Sequence, residues 1–401
     1  MDKNLQHYLT VTAGYWAFTI TDGAIRMLVV LYFHLLGYSP FEVAMLFLFY
    51  EFFGIVTNLV GGWLGSRIGL NLTMHIGMAM QVIALAMLMV PESWLSVFYV
   101  MFAQALSGIA KDLNKMSAKA SIKTLLPEQG SDTTLFKWVA ILTGSKNTLK
   151  GVGFFVGAVL LQQLEFRGAL AVLSAGLLCV LIITALLLPS GLGKASYKPK
   201  FKQIFSNTSE INWLSIARFF LFASRDVWFV VALPVYLYSI LKWPFMEVGG
   251  FLALWVIGYG IIQASAPTLL RRSHHGRGPT GNTAKIWVFG LFLIPLLIAS
   301  GLSLNIQPQF VLILGLTIFG VVFAINSAVH SYLIVAWSSH ENVSMKVGFY
   351  YMANAAGRLL GTLFSGLIYQ TQGLIGCLIW SSVLILLAGV FSLKLPKHAN
   401  S

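Results

Sequence analysis

The sequence predicts an all-α membrane protein with 12 transmembrane helices in two pseudo-symmetric six-helix bundles. Three observations predict it: apolar blocks of about twenty residues recurring along the chain, a scarcity of charge, and a weak internal repeat. Of the 401 residues, 57% are hydrophobic and only 10% charged, and the mean hydropathy is +0.80. A soluble domain of this length needs roughly a quarter of its residues charged to cover its surface.

The blocks fall at 8–33, 42–64, 73–90, 94–115, 136–162, 168–189, 212–240, 247–270, 285–304, 308–336, 346–369 and 373–394. Each is long enough to cross ~30 Å of hydrocarbon as a helix. Lipid offers no partner to backbone N–H and C=O groups, so helices are the expected spanning form. The longest polar connection runs from Pro189 to Asn212 and carries Lys194, Lys198, Lys200 and Lys202. It divides the chain into an N-terminal bundle (1–189), a cytoplasmic linker (190–211) and a C-terminal bundle (212–401).

Basic residues alternate between the two sets of connections. One set holds Arg67, then Lys119, Lys123 and Lys137, the linker lysines, and Arg271, Arg272, Arg277 and Lys285; the other holds only Arg167 and Lys242. The excess of Lys and Arg marks the cytoplasmic side, which places both termini inside a bacterial inner membrane. The polar start, Met1 to His7, leads straight into the first span with no small-residue cleavage site, so no removable signal peptide is expected. The net charge of +13 lies between or inside the apolar blocks, not on one soluble face, which argues against a nucleic-acid partner. Cys179 and Cys377 sit in apolar blocks and read as packing residues. No cofactor or metal is expected, and the lipid bilayer is the surrounding partner of a monomer.

A shift of 204 residues aligns Phe18, Asp22, Tyr32, Pro40, Phe41, Phe47, Leu48, Gly54 and Arg67 with Phe222, Asp226, Tyr236, Pro244, Phe245, Phe251, Leu252, Gly258 and Arg271. Apolar composition supplies some of these matches; the Asp, Pro, Gly and Arg pairs are not explained that way. A second register of 209 aligns Lys137, Phe155 and Gly157 with Lys346, Phe364 and Gly366. Parallel six-helix repeats place a substrate site at their interface near the bilayer midplane, with alternating access by rocking of the halves. Gly153-x-x-x-Gly157 and Gly357-x-x-x-Gly361 allow neighbouring backbones to approach and read as packing faces.

The stretch Gly62-Trp63-Leu64-Gly65-Ser66-Arg67-Ile68-Gly69 lies in the connection between the second and third spans. It resembles the G-x-L-a-D-R-x-G loop of the major facilitator superfamily, and the predicted fold is of that type. Gly62 and Gly69 permit close approach and a tight turn, and Arg67 can cap helix carbonyls or pair with acids on a neighbouring bundle. A basic turn obeying the topology rule accounts for Arg67 alone, but not for the glycine spacing. Ser66 stands where that family usually has Asp, so the charge lock of the loop is not carried over.

A charge near the bilayer centre costs ~2.5–3.5 kcal/mol on insertion scales and should face a cavity or a partner. Asp22 and Arg26 lie one turn apart on the first helix, Glu51 is on the second, and Lys146 and Lys150 lie one turn apart on the fifth. Arg218, Arg225 and Asp226 are on the seventh and Arg358 on the eleventh. Six bases therefore meet three acids, and roughly three positive charges await an anion. Arginine suits phosphate, arsenate or carboxylate through two parallel hydrogen bonds, and lysine adds point charge. Arg26, Lys146, Lys150, Arg225 and Arg358 lie far from predicted helix ends and are assigned to substrate. Lys111 and Lys115 fit substrate or anchor equally, as does Arg218 near the start of its helix, while Lys119 and Lys123 are expected to snorkel to the interface. Asp22 and Asp226 are expected either to pair with Arg26 and Arg225 or to carry protons, and Glu51 is a third titratable candidate.

Several segments carry a more specific resemblance. Asn4–Thr10 (NLQHYLT), Thr21–Val30 (TDGAIRMLVV), Tyr50–Asn58 (YEFFGIVTN), Ala105–Lys119 (ALSGIAKDLNKMSAK) and Phe136–Asn147 (FKWVAILTGSKN) resemble the ArsJ-type organoarsenical efflux permeases. So do Arg225–Pro234 (RDVWFVVALP), Gly249–Gln263 (GGFLALWVIGYGIIQ) and Val347–Arg358 (VGFYYMANAAGR). The resemblance implies export of 1-arseno-3-phosphoglycerate, conferring arsenate resistance, with a glyceraldehyde-3-phosphate dehydrogenase as the functional partner that makes the substrate. It carries over no binding residue. The residues agree with such a substrate: trivalent arsenic calls for clustered thiolates, which Cys179 and Cys377, in different halves, do not form, whereas a pentavalent oxyanion ester is held by hydrogen bonds.

Direction follows from the membrane potential. Each charge moved is worth ~2.3 kcal/mol per 100 mV, so outward movement of a polyanion from a negative interior releases energy without a coupled ion. A general organophosphate or organic-anion carrier, with or without proton coupling, needs the same bases. A membrane enzyme would show a nucleophile–base set or metal-ligand spacing; His274-His275 sits in a basic loop without Cys or acid neighbours, so no enzyme is expected. A non-transporting sensor leaves the intramembrane charges unexplained.

Overall fold

The computed structural model describes residues 3–38, 46–125, 132–189, 191–192, 194, 205, 207–243, 245–270, 278–339 and 343–396. Lys198, Lys200, Lys202, Arg271, Arg272, Arg277, His274, His275, Pro40, Phe41, Pro244 and the side chain of Lys123 lie outside the described residues.

Among the described residues the chain is helical with no strand, and the twelve spans appear in the predicted order. They are α1 (Lys3–Leu35), α2 (Leu48–Ile68), α3 (Leu70–Met87) and α4 (Val97–Leu125), then α5 (132–164) and α6 (166–187). The second half holds α7 (Ser209–Phe229, prolonged by Ala232–Ser239), α8 (Phe245–Leu270), α9 (Gly281–Ser303), α10 (Pro308–Ala336), α11 (343–372) and α12 (374–392). Among the described residues, seven helical stretches are long and apolar enough to cross a membrane by length and composition. Two of these, Thr133–Leu187 and Val343–Ser392, each contain two spans, because the backbone leaves helical geometry at Glu165 (φ 56°) and Gly373 (φ 65°). The remaining spans α1, α2 and α4 carry polar and charged side chains that lower their apolarity. Large apolar side chains face outward, Leu186 (81% exposed), Phe98 (72%) and Leu297 (69%) among them, as a lipid-facing surface requires.

One break was not expected. The sequence predicts an unbroken helix over 212–240, whereas α7 is interrupted at Val230 and Val231. Pro234 has no N–H to give the carbonyl one turn earlier, and its ring crowds that carbonyl. The freed N–H groups of Val231 and Ala232 donate to Ser365 Oγ at 3.3 and 3.1 Å.

The described chain forms two compact units, one of residues 1–130, 145–206 and 338–352, the other of 131–144, 207–337 and 353–401. Each has its own apolar core: Leu28, Phe33, Leu85 and Leu170 in the first, Trp228, Leu291, Phe319 and Leu378 in the second. In the first unit α5 lies directly on α1, since a Cβ at Gly157 would meet Ala24 Cα at 2.9 Å. In the second, α11 lies on α7 in the same way, with Gly361 against the Ala223 carbonyl. The close approaches pair Gly153 with Ile20 and Gly157 with Ala24, 133 residues apart; in the second half they pair Gly357 with Phe219 and Gly361 with Ala223, 138 apart. The extra five residues equal the difference between the 204 and 209 registers.

Candidate functional site

In the first unit Tyr50 on α2, 2% exposed, is the centre. Its hydroxyl donates to Asp22 Oδ1 at 2.6 Å, and Lys150 Nζ donates to Asp22 Oδ2 at 3.0 Å. The acid of α1 therefore ties α2 to α5. Lys111 Nζ lies 3.8 Å from the centroid of the Tyr50 ring, Arg26 Cζ 5.5 Å and Lys150 Nζ 5.9 Å. Three cations surround one ring, whose electron-rich face attracts them. Arg26 also lies over Phe47 at 5.0 Å and reaches Glu51 Oε1 at 3.8 Å. Lys146, one turn before Lys150, is half-buried.

The expected pairing of Asp22 with Arg26 is therefore corrected: the ion partner of Asp22 is Lys150, 128 residues away. The cause is the α1–α5 contact. A Cβ at Gly23 would meet the Lys150 carbonyl at 2.5 Å, so the small residues bring Lys150 beside Asp22, while the longer Arg26 is drawn across the aromatic rings to Glu51.

Along α4, Lys115 donates to Asp112 Oδ1 at 2.5 Å and Lys111 stands 3.8 Å from Asp112 Oδ2. Lys115 and Lys119 lie 4.7 and 5.5 Å from the Tyr351 ring of α11. Lys119, expected as an interfacial anchor, is only 1% exposed. This corrects the snorkelling assignment for Lys119: residues 112–122 of α4 are all buried, so its side chain has no route to the surface.

In the second unit the repeat mate of Asp22 does parallel work. Asp226, fully buried, accepts from Arg225 Nη2 at 2.5 Å and Arg358 Nε at 3.2 Å. Two guanidinium groups thus share one carboxylate, and in both units the acid of the first helix receives a base from the fifth helix of the same half. Arg218, for which an interfacial position was one reading, is instead buried at 2% exposure. Its Nε donates to Asn354 Oδ1 at 2.8 Å and its Nη1 to Ser327 Oγ at 3.0 Å, while Gln263 Nε2 donates to Ser327 Oγ at 3.1 Å. The guanidinium carbon lies 3.9 Å from the Phe222 centroid, and that of Arg225 lies 4.9 Å from it.

The glycine-rich stretch, expected in the connection between the second and third spans, instead forms the last two turns of α2 through Ile68, and only Gly69 lies outside a helix. Gly69 (φ 103°) ends α2, donating to the Gly65 carbonyl, and opens α3; an L side chain rarely adopts that φ. Gly62 abuts α11, where a Cβ would meet the Ser344 carbonyl at 2.6 Å and Gly348 Cα at 2.9 Å, and Ser344 Oγ donates to the Gly62 carbonyl at 2.7 Å. Arg67 lies 4.9 Å over Trp63, one turn back, and the buried Ser66 Oγ donates to the Trp63 carbonyl at 2.7 Å.

In the first unit Arg26, Lys111, Lys115, Lys119, Lys146 and Lys150 outnumber Asp22, Glu51 and Asp112; in the second Arg218, Arg225 and Arg358 outnumber Asp226. Aromatic rings stabilise this excess only in part. Sequence reasoning missed Tyr50 and Tyr351, which organise the cations, and the neutral residues Gln263, Ser327 and Asn354. The last three stand on three different helices, α8, α10 and α11, so no pattern along one helix announces them.

The sequence matches the Major Facilitator Superfamily over residues 11–329. Among solved structures it is similar to a bacterial homologue of the iron transporter ferroportin in its outward-facing state, with TM-score 0.76 and 17% identity over 97% of this chain and 98% of that one. It is similar to the human organic anion transporter TETRAN, with TM-score 0.77 and 16% identity over 98% and 100% of the two chains. The fucose–proton symporter of E. coli gives TM-score 0.73 and 10% identity over 98% of each chain. At such identities the likeness is one of fold. No curated protein sequence matches.

Proposed function

The chain belongs to the Major Facilitator Superfamily, and from that premise we propose that it exports multiply charged organic anions, its substrate being the pentavalent organoarsenical 1-arseno-3-phosphoglycerate. That it is a membrane transporter of this superfamily follows from the family and the fold. The observation that carries the anion reading is the excess of bases over acids in each unit: Arg26, Lys111, Lys115, Lys119, Lys146 and Lys150 against Asp22, Glu51 and Asp112 in the first, and Arg218, Arg225 and Arg358 against Asp226 in the second. A phosphate or arsenate ester supplies the missing negative charge, with arginine forks offering paired hydrogen bonds. The organoarsenical is favoured over other anions by the wording of eight segments, Thr21–Val30 and Arg225–Pro234 among them.

In this reading Arg26, Lys146, Lys150, Arg225 and Arg358 meet the substrate, with Lys111 and Lys115 contributing positive charge. Gly62, Arg67 and Gly69 serve the conformational change of alternating access. Export from a cytoplasm of negative potential runs downhill for a polyanion. The protein acts in the bacterial inner membrane with both termini cytoplasmic, as a monomer, and the dehydrogenase supplies its cargo.

A second reading is a general organophosphate or organic-anion carrier, because the contacts recognise charge and not arsenic. If protons are coupled, they exchange at Asp22, Glu51 or Asp226. Everted vesicles separate the readings. They are supplied with glyceraldehyde-3-phosphate dehydrogenase, NAD+ as the hydride acceptor, arsenate and glyceraldehyde 3-phosphate on one side of the comparison, and 3-phosphoglycerate on the other. Arsenic accumulation several-fold faster than that of 3-phosphoglycerate at equal concentration supports the organoarsenical; equal transport of both supports the general carrier. Transport of neither refutes both.

A further inference from the structure

The middle of α10 carries polar groups that neither cation cluster uses. Asn326, His330 and Ser331 are at most 1% exposed, and neither polar atom of Asn326, neither ring nitrogen of His330, nor Ser331 Oγ has a hydrogen-bond partner among the described residues. Helical spacing of ~100° per residue gathers these three and Ser327 within an arc of about 140°. Ser327 is the residue that Arg218 and Gln263 contact, and the charge of Arg218 acts on the His330 ring. α10 has no acidic residue in its 29 positions, and the charged group that acts on His330 is Arg218.

Buried polar groups in folded proteins are almost always hydrogen-bonded, and an orphaned one is costly. Five orphaned atoms next to a buried guanidinium mark a place where something polar binds. A cation is disfavoured by Arg218. Carboxamide, imidazole, hydroxyl and guanidinium groups all donate, which suits an oxyanion. The place also has a partner site within reach. The Arg218 and Arg225 guanidinium carbons lie 3.9 and 4.9 Å from the Phe222 centroid, so they are at most about 9 Å apart. Seven residues of α7, two turns or ~10 Å of rise, separate their Cα atoms.

We propose that Arg218, Asn326 and His330 form a second oxyanion subsite, which takes one anionic end of a two-ended solute while Arg225 and Arg358 take the other. The subsite rests on the anion-transport reading and adds to it that the substrate class is an organic bis-anion with its charges on a short carbon chain. Gln263 and Asn354 position Ser327 and Arg218.

Binding of inorganic phosphate and of 3-phosphoglycerate to the purified full-length protein in detergent, by calorimetry, tests this. The wild type is expected to bind 3-phosphoglycerate at least tenfold more tightly than phosphate, since only the former has two anionic ends. Asn326→Leu replaces an orphaned amide by an apolar group of similar shape, so the variant should be at least as heat-stable as the wild type. It should nevertheless lose most of the tenfold preference, and Arg218→Gln should do the same. A stable Asn326→Leu variant that keeps the preference overturns the subsite and means that the orphaned groups hold only water. Equal affinity of the wild type for both probes overturns it as well. If Arg225→Gln abolishes binding while Asn326→Leu and Arg218→Gln leave it intact, the anion reading stands without the subsite. Failure of the wild type to bind either probe at millimolar concentration overturns both.

Discussion

Replacing Asp22 by Asn tests whether the first-helix acid holds the surrounding bases in place. Asp22 has a side-chain exposure of 4%; it accepts from Tyr50 at 2.6 Å and from Lys150 at 3.0 Å, with Lys111 and Arg26 against the same ring. Asparagine keeps the shape and an acceptor for Tyr50 but removes the charge. Lys150 then faces two other cations without compensation. Removing one partner of a buried pair costs ~3–5 kcal/mol, and because Lys150 keeps some contact with solvent the loss should be near the lower end, about 3 kcal/mol. Adding Lys150→Met removes the uncompensated charge, and the double variant should return to within about 1 kcal/mol of the wild type. Equilibrium denaturation in micelles, followed by tryptophan fluorescence, measures both. Transport should stay low in the double variant, because Lys150 is itself assigned to substrate. An Asp22→Asn variant within about 1 kcal/mol of the wild type, or a double variant no better than the single, refutes the reasoning.

Three further outcomes are expected. Tyr50→Phe keeps the ring for the cations but deletes the bond to Asp22, costing ~1.5–3 kcal/mol, whereas Tyr50→Leu should cost more because the cation–π contacts go too; equal costs would show that the ring does nothing for the bases. Gly62→Val places carbon where the Ser344 carbonyl lies, so overpacking should cost ~1–3 kcal/mol and slow transport, and a variant of wild-type stability and rate contradicts the close α2–α11 contact. Lys119→Ala removes a buried stem and its contact with Tyr351, and should lower stability by about 2 kcal/mol; an unchanged denaturation midpoint would return Lys119 to the interface.

The helices were legible because lipid permits few alternatives: a chain whose apolar blocks recur at spanning length must fold each as a helix. The break at Val231 was legible in principle from Pro234 but was outweighed by continuous hydropathy. Partnerships were harder. Spacing along one helix suggests Arg26 for Asp22, but the chosen partner comes from α5, where Gly153 and Gly157 permit close approach. Lys119 and Arg218 were judged by distance from a helix end, which says nothing of what encloses the side chain. Asn326, Ser327 and His330 are marked in the sequence only by neutral polarity at helical spacing, a fainter signal than a charge inside an apolar block.

The central question is whether the buried cations serve an anion. Uptake of the dehydrogenase-generated organoarsenical into everted vesicles, measured for Arg26→Ala, Arg225→Ala and Arg358→Ala at matched membrane abundance, tests this most directly. Each should lose at least about tenfold in rate, or 1.4 kcal/mol of substrate stabilisation, as expected for charge-assisted hydrogen bonds. Wild-type rates in all three would contradict it.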